Sequence, residues 1–259
     1  MMAGRVALIV GASKGIGAAT AEAFAAAGAA VVLAARDAVA LGAVVARIEA
    51  AGGKALAVTA DVTEAAAMEQ LVDAAVARFG RLDAAFNNAS DKIGMAPLAD
   101  IDPADFSRSV STSVDGTFLG MKYQIPAMVR SGGGAIVNMA SLAGLNGVAN
   151  LAAYVAGKAG IIGLTKVAAL DYADHGIRVN VLAPGTILTH YLEAAGEQAQ
   201  RGAAMAAPMR RIGTVQEVAE AVLWLCSEHS SFITGSVIPI DGGMSAGVKP
   251  PQMMKVSSG

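Results

Sequence analysis

The chain has 259 residues, a formal charge of −2, and 54 % apolar side chains of which few are aromatic. That length holds one large α/β domain or two small ones, and the abundance of Ala and Gly suits close helix-to-sheet packing better than an all-β sandwich. With no basic stripe and no long charge run, nucleic acid and an anionic membrane are not expected partners.

Short apolar runs alternate with longer Ala-rich stretches along the chain. The first run, 5–10, could pass for a secretory signal, since Arg5 precedes it and small residues follow. It is short, however, and "KGIG" comes directly after, so a buried first strand explains it better. Further strands are predicted at 29–34, 54–60, 82–87, 134–140, 177–183 and 236–241. Helical periodicity is read near 15–27, 38–51, 64–79, 103–130, 151–174 and 214–228. Continuously apolar strands are what a parallel sheet buried on both faces requires. Their alternation with helices predicts a doubly wound α/β sheet of about seven strands, a three-layer Rossmann-type architecture with right-handed crossovers. No repeat or mid-chain linker divides the sequence, so one domain over 1–259 is expected. Segment 188–213 breaks the rhythm. At the end of a strand in an open α/β sheet, such an insertion lies over the ligand crevice and reads as a substrate lid, although an ordinary surface helix pair fits too. The tail "VKPPQMMKVSSG" reads as an extended terminus. No uninterrupted apolar stretch looks long enough to span a bilayer.

The single cysteine, Cys226, allows no internal disulfide and suits a reducing, cytoplasmic setting. It lies in an apolar run and reads as a core residue rather than a nucleophile. The three histidines are scattered, with no metal-ligand spacing.

Between the first strand and first helix lies "GASKGIG", comprising Gly11, Ser13, Lys14, Gly15, Ile16 and Gly17 with Ala12. Glycines there let the backbone approach a diphosphate, and the helix start offers free N–H groups and a positive dipole end. This predicts dinucleotide binding. After the second strand, "VVLAARD" places Ala35 where an acid would bind ribose hydroxyls in an NAD site. Arg36 follows and suits a 2′-phosphate, and Lys14 could reach the same group. NADP(H) is therefore preferred, with NAD(H) still possible. Asp37, the reason for caution, is read as a helix N-cap.

Tyr154 and Lys158 are four residues apart in "AAYVAGKAG", which on a helix puts them on one face about a turn apart. A nearby ammonium is expected to lower the phenol pKa, and Ser141 at the end of a preceding strand could share one substrate oxygen. The set suits proton transfer in interconverting a carbonyl and an alcohol. Taken alone, such a Tyr/Lys pair is common on exposed helices.

Together these pieces resemble the short-chain dehydrogenase/reductase family over nearly the whole chain, including members like 3-oxoacyl-[acyl-carrier-protein] reductase. The matching residues are "GASKGIG" at 11–17, "DV" at 61–62, "NNA" at 87–89, Ser141, Tyr154, Lys158, "RVNVLAPG" at 178–185 and "DGG" at 241–243. The resemblance implies that Asp61 and Val62 lie beside the adenine and that Asn88 lines the nucleotide groove. It implies that Ile187, through its backbone, and Thr189 hold the nicotinamide carboxamide after the turn at Pro184 and Gly185. It makes Tyr154 the general acid/base, Lys158 its modulator and a ribose ligand, and Ser141 the substrate-oxygen donor. Ser113 stands where the family usually has an asparagine that helps hold a relay water, and Ser90 stands where glycine is usual.

The leading expectation is an NADP(H)-dependent oxidoreductase of CH–OH and C=O groups. Its substrate would be a 3-oxoacyl thioester or a small ketone, sugar or cyclic alcohol. The alternative, motivated by Ser113 and Ser90, is an NADP-binding sensor or assembly subunit with weak turnover. The apolar circumference of the Tyr154 helix and the resemblance together predict a homotetramer, or a homodimer.

Overall fold

The computed structural model describes residues 2–90 and 94–247. Seven strands run in the order β3-β2-β1-β4-β5-β6-β7, and every pairing is parallel. They are β1 Val6–Val10, β2 Ala30–Ala35, β3 Lys54–Thr59, β4 Ala84–Asn87, β5 Gly134–Met139, β6 Ile177–Pro184 and β7 Val237–Ile240. All five residues of β1 are buried. Its side chains alternate faces, with Ile9 in one core cluster and Leu8 in the other. The expectation of strands buried on both faces fails at the two edges. β3 and β7 have open sides, and their residues are largely half-exposed.

Helices α1 (Gly15–Ala26) and α2 (Ala38–Ala50) cover one face together with α9 (Val215–Cys226). The other face is covered by α3 (Ala65–Phe79), α5 (Gly116–Arg130) and α6 (Ala152–Tyr172). Phe24 on α1 and Leu71 on α3 are fully buried anchors of these two layers. Each such side chain is worth roughly 1.5–3 kcal/mol in water-to-core transfer. Local chemistry sets the helix starts. Asp37 caps α2, accepting from the Ala40 N–H at 3.0 Å, as its sequence position predicts. Thr214 and Glu217 form a reciprocal capping box on α9.

The chain passes from β1 outward to β2 and β3, then returns to β4 on the far side of β1. The loops after β1 and β4 therefore diverge, and this switch point opens a crevice at the carboxyl ends of the strands.

One predicted helix divides. Over 103–130 the structure has α4 (Pro103–Val110), a π-helical turn (Ser111–Asp115) and then α5. The inserted turn pushes Ser113 and Val114 against α6. A Cβ on Gly157 would lie 2.8 Å from Ser113 Cβ, and one on Gly160 would lie 2.8 Å from Val114 Cγ2. Segment 188–213 contains α7 (His190–Ala194) and α8 (Gly196–Ala206). The expectation about apolar stretches also needs correcting. The helical segment Ala152–His175 is long and apolar enough to cross a membrane by length and composition. It instead packs on the sheet, with Lys158, Ile161, Ala168 and Ala169 buried. The tail reading falls on residues 248–259, outside the described residues.

Candidate active site

The loop after β1 forms a cradle. Gly11 has φ +79°, and a Cβ there would meet the Ala89 backbone nitrogen at 2.9 Å; a Cβ on Gly17 would come within 2.1 Å of the Gly11 carbonyl oxygen. Side chains at either position are sterically barred, which lets the loop close tightly over the start of α1. Lys14 takes the N-cap position of that helix without a side-chain cap bond, and the first turn holds no acid. Its N–H groups and dipole end are thus left for an anion. Ser13 is half-buried beside them, and Ile16 points back into the core. Asn88 donates its amide to the Gly11 carbonyl at 3.1 Å. That bond holds the cradle in shape.

The adenosine end has a different character. Asp61 accepts from the Thr63 N–H (3.0 Å) and hydroxyl (2.8 Å). The backbone N–H of Thr63 is the main reason that its carboxyl lies below the usual range. Arg36 lies 3.9 Å from it, with a largely exposed guanidinium. Val62 is buried, and Gly116 packs so closely that a Cβ there would lie 2.8 Å from Val62 Cγ2. The Val62 side chain is thus packed against the start of α5.

Tyr154 and Lys158 occupy the first two turns of α6, and Ser141 heads the short turn that follows β5. Gly144 brings that turn onto the helix, since a Cβ there would be 2.9 Å from the Lys158 backbone carbonyl. The Lys158 ammonium sits 5.5 Å from the Tyr154 ring centroid and donates to the Met139 carbonyl at 3.0 Å. Lys158 is fully buried, which brings its pKa down to about 8. The expected lowering of the Tyr154 pKa is not what the structure has. Burial raises it, and a hydrogen bond from the Ser141 hydroxyl only partly pulls it back. The ammonium lies over the ring and donates to a carbonyl, and the cost of desolvating a phenolate prevails.

After β6, Gly185 closes against β7, where a Cβ would touch Asp241 at 2.9 Å. Pro184 is buried as the last residue of β6. Ile187 then pairs with Gly213 in a parallel bridge made by Leu188 N–H to Gly213 (2.8 Å) and Gly213 N–H to Thr186 (3.1 Å). In that geometry the N–H and C=O of Ile187 itself face away from the bridge. Thr189 is the N-cap of α7, but its hydroxyl makes no cap bond. An amide group with both donor and acceptor functions matches these free partners. The cradle, uncapped helix start and free backbone pair thus fit a nicotinamide dinucleotide.

A family model described as "Enoyl-(Acyl carrier protein) reductase" matches residues 11–245. The chain is 43 % identical to the A-factor type gamma-butyrolactone 1'-reductase (1S-forming) of Streptomyces virginiae, covering 94 % of this chain and 96 % of that protein. It is 42 % identical to cyclohexanol dehydrogenase of Acinetobacter sp. (strain SE19), over 92 % and 94 %. Among solved structures, levodione reductase superposes with a TM-score of 0.93 at 36 % identity, covering 96 % of this chain and all of that one. An NAD+-bound xylitol dehydrogenase gives 0.89 at 36 % identity, over 93 % and 99 %. The chain belongs to the short-chain dehydrogenase/reductase family.

Membership carries with it an NAD(P) cofactor and oxidoreductase chemistry on alcohols and carbonyls. Some features of this short-chain dehydrogenase/reductase were not legible as a site from sequence. Asn87, Gln124, Asn138 and Thr165 form a buried network: Asn87 to Asn138 at 2.9 Å, Gln124 to Asn87 at 2.8 Å, and Asn138 to Thr165 at 2.9 Å. It links β4, β5, α5 and α6. Arg178 and Asn180, in the "RVN" motif, do not reach the crevice. They anchor residues 227–236 through Ser230, Ser227 and Ile233. Ser113 is buried against Gly157, and its carbonyl accepts the Thr117 hydroxyl at 2.7 Å. Among the described residues no hydrogen bond joins it to Lys158. Cys226 is buried, with its thiol pushed up to about 12 by desolvation, as befits a core residue.

Proposed function

We propose that this protein interconverts a neutral cyclic ketone and its secondary alcohol with NADP(H), using Tyr154 as the general acid in reduction and the base in oxidation. The observation that carries the reading is the convergence of Ser141, Tyr154 and Lys158 at the carboxyl end of the sheet, beside the glycine cradle. The nicotinamide supplies or accepts the hydride when bound. Ser141 holds the substrate oxygen and Tyr154 moves a proton at that oxygen. Lys158, already poised near pH 8, steadies the phenolate as it forms. Its ammonium must leave the Met139 carbonyl, or share it, to do so.

A cyclic substrate follows the relatives named for cyclohexanol and levodione. A 3-oxoacyl thioester is the weaker reading, resting on the family description alone. The NADP(H) preference rests on two exposed cations, Arg36 at the end of β2 and Lys14 in the cradle. Asp37, the acid that would repel a 2′-phosphate, is turned to capping α2. The NAD+-bound xylitol dehydrogenase is the counterweight. Cytoplasmic residence accords with the one buried free thiol. Segment 188–213 serves as the substrate lid of a single domain.

The test is a panel of cyclic ketones with NADPH. Tyr154→Phe should cut turnover by about 10²–10⁴-fold while leaving NADPH affinity unchanged. Calorimetry should give wild type a preference for NADPH over NADH that Arg36→Ala erases. Tight NADPH binding without Tyr154-dependent turnover on any carbonyl would favour the sensor reading instead. Equal affinity for the two nucleotides in wild type would remove the NADP(H) assignment.

A further inference from the structure

His190 opens the lid directly after Thr189. Both of its ring nitrogens are sealed from solvent, and neither has a hydrogen-bond partner among the described residues. Such groups are rare because a buried unpaired polar atom costs on the order of 1–3 kcal/mol. The ring stacks on Tyr191, with centroids 3.9 Å apart. The Lys14 ammonium lies over the Tyr191 ring, 5.5 Å from its centroid. Thr189 Cγ2 is 3.9 Å from where a Cβ on Gly15 would stand. The lid's first turn thus rests on the glycine loop, at the uncapped start of α1.

We propose that His190 is a cofactor-binding residue that donates to the diphosphate of the bound dinucleotide, so that the lid helps grip the nucleotide as well as covering substrate. The inference rests on the dinucleotide reading but not on the choice of NADP(H), since NAD(H) and NADP(H) share that diphosphate. Lys14 supplies one fixed charge at this place, the α1 dipole supplies another, and His190 adds a donor whose strength depends on pH. Burial, then the Lys14 charge, hold the imidazole below its ordinary pKa, while Glu193 on the same helix opposes them. A doubly negative diphosphate would reverse that balance, and the ring would take up a proton as the nucleotide binds. Linkage then fixes the sign: affinity is highest at acidic pH and falls as pH rises through the histidine range.

The experiment is calorimetric titration of wild type, His190→Phe and His190→Gln with NADH, NADPH and adenosine, in buffers of different ionisation enthalpy. Phe keeps the ring stack on Tyr191 and loses both nitrogens; Gln keeps a neutral donor. In wild type, dinucleotide binding should be accompanied by proton uptake, and affinity should drop about tenfold between about pH 6 and about pH 8. Both variants should lose the proton uptake and the slope, Gln retaining more of the affinity than Phe. Adenosine, which lacks phosphates, should be insensitive to pH and to either substitution. Wild-type affinity and proton uptake in His190→Phe would overturn the assignment while leaving the dinucleotide site intact. Failure of wild type to bind either dinucleotide would remove the cofactor reading and this inference with it.

Discussion

At the scale of single residues, Lys158 is a costly side chain to bury. Lys158 is fully buried with its pKa near 8, about two and a half below its ordinary value of 10.5. Between those two values the unfolded chain binds the proton more readily than the folded one. Stability should therefore rise with pH from about 8 to about 10.5, and below pH 8 the full cost remains, on the order of 3 kcal/mol. Lys158→Met should abolish turnover and raise the melting temperature at pH 7, with the gain shrinking toward pH 10. A lower melting temperature at pH 7 would mean that the bond to the Met139 carbonyl outweighs desolvation. The identities of Ser141, Tyr154 and Lys158 were legible in the sequence because helical spacing and strand ends are local. The direction of the Tyr154 shift was not, since it depends on how deeply the folded chain buries the phenol and on where the ammonium points. His190 was passed over for a similar reason. Nothing in "LTHYL" tells that its ring nitrogens are buried without partners among the described residues.

At the scale of elements, the π turn at Ser111–Asp115 governs how α5 and α6 meet. It fills the two glycine gaps of α6, at Gly157 and Gly160, with Ser113 and Val114. Gly157→Ala would place a methyl 2.8 Å from Ser113, an overpacking that costs about 1–3 kcal/mol. Because Lys158 is the next residue, catalysis should suffer along with stability, and denaturant melts beside steady-state rates would measure both. Gly163→Ala, where nothing lies within 4 Å, is the control. The buried amide network offers a second prediction. Asn138→Leu would remove one of two partners from the Asn87 amide nitrogen and from the Thr165 hydroxyl, which keep Gln124 and the Ile161 carbonyl, at a cost of about 1 kcal/mol for each lost bond that a thermal melt would read. Strands and helices were readable from apolar runs and periodicity to within a residue or two. The break within 103–130 was not, because a π turn keeps the same apolar pattern while shifting register by one residue.

For the whole molecule, the parallel, doubly wound sheet of seven strands follows from strand–helix alternation and was legible. The edges were not, because burial of β3 and β7 depends on neighbours that a sequence does not reveal. Apolar side chains are exposed on the outer helices, with Leu170 82 % and Val167 57 % exposed on α6 and Phe118 48 % on α5. We propose that they meet a second copy of the chain, in a homodimer or homotetramer. Sedimentation at micromolar concentration should give an oligomeric mass that Leu170→Glu lowers. A monomeric wild type would exclude it. The bridge between Ile187 and Gly213 bears on how such a molecule diversifies. It ties Ile187 to Gly213 at the rim of the sheet, so the segment between them leaves and returns at one place. Closing a longer loop costs only about 0.6 kcal/mol per doubling. On the lid reading, substrate preference should be exchangeable by transplanting residues 191–206, which leaves Thr189 and His190 in place and keeps Ala207, Pro208 and Met209 packed on Gly242 and Gly243.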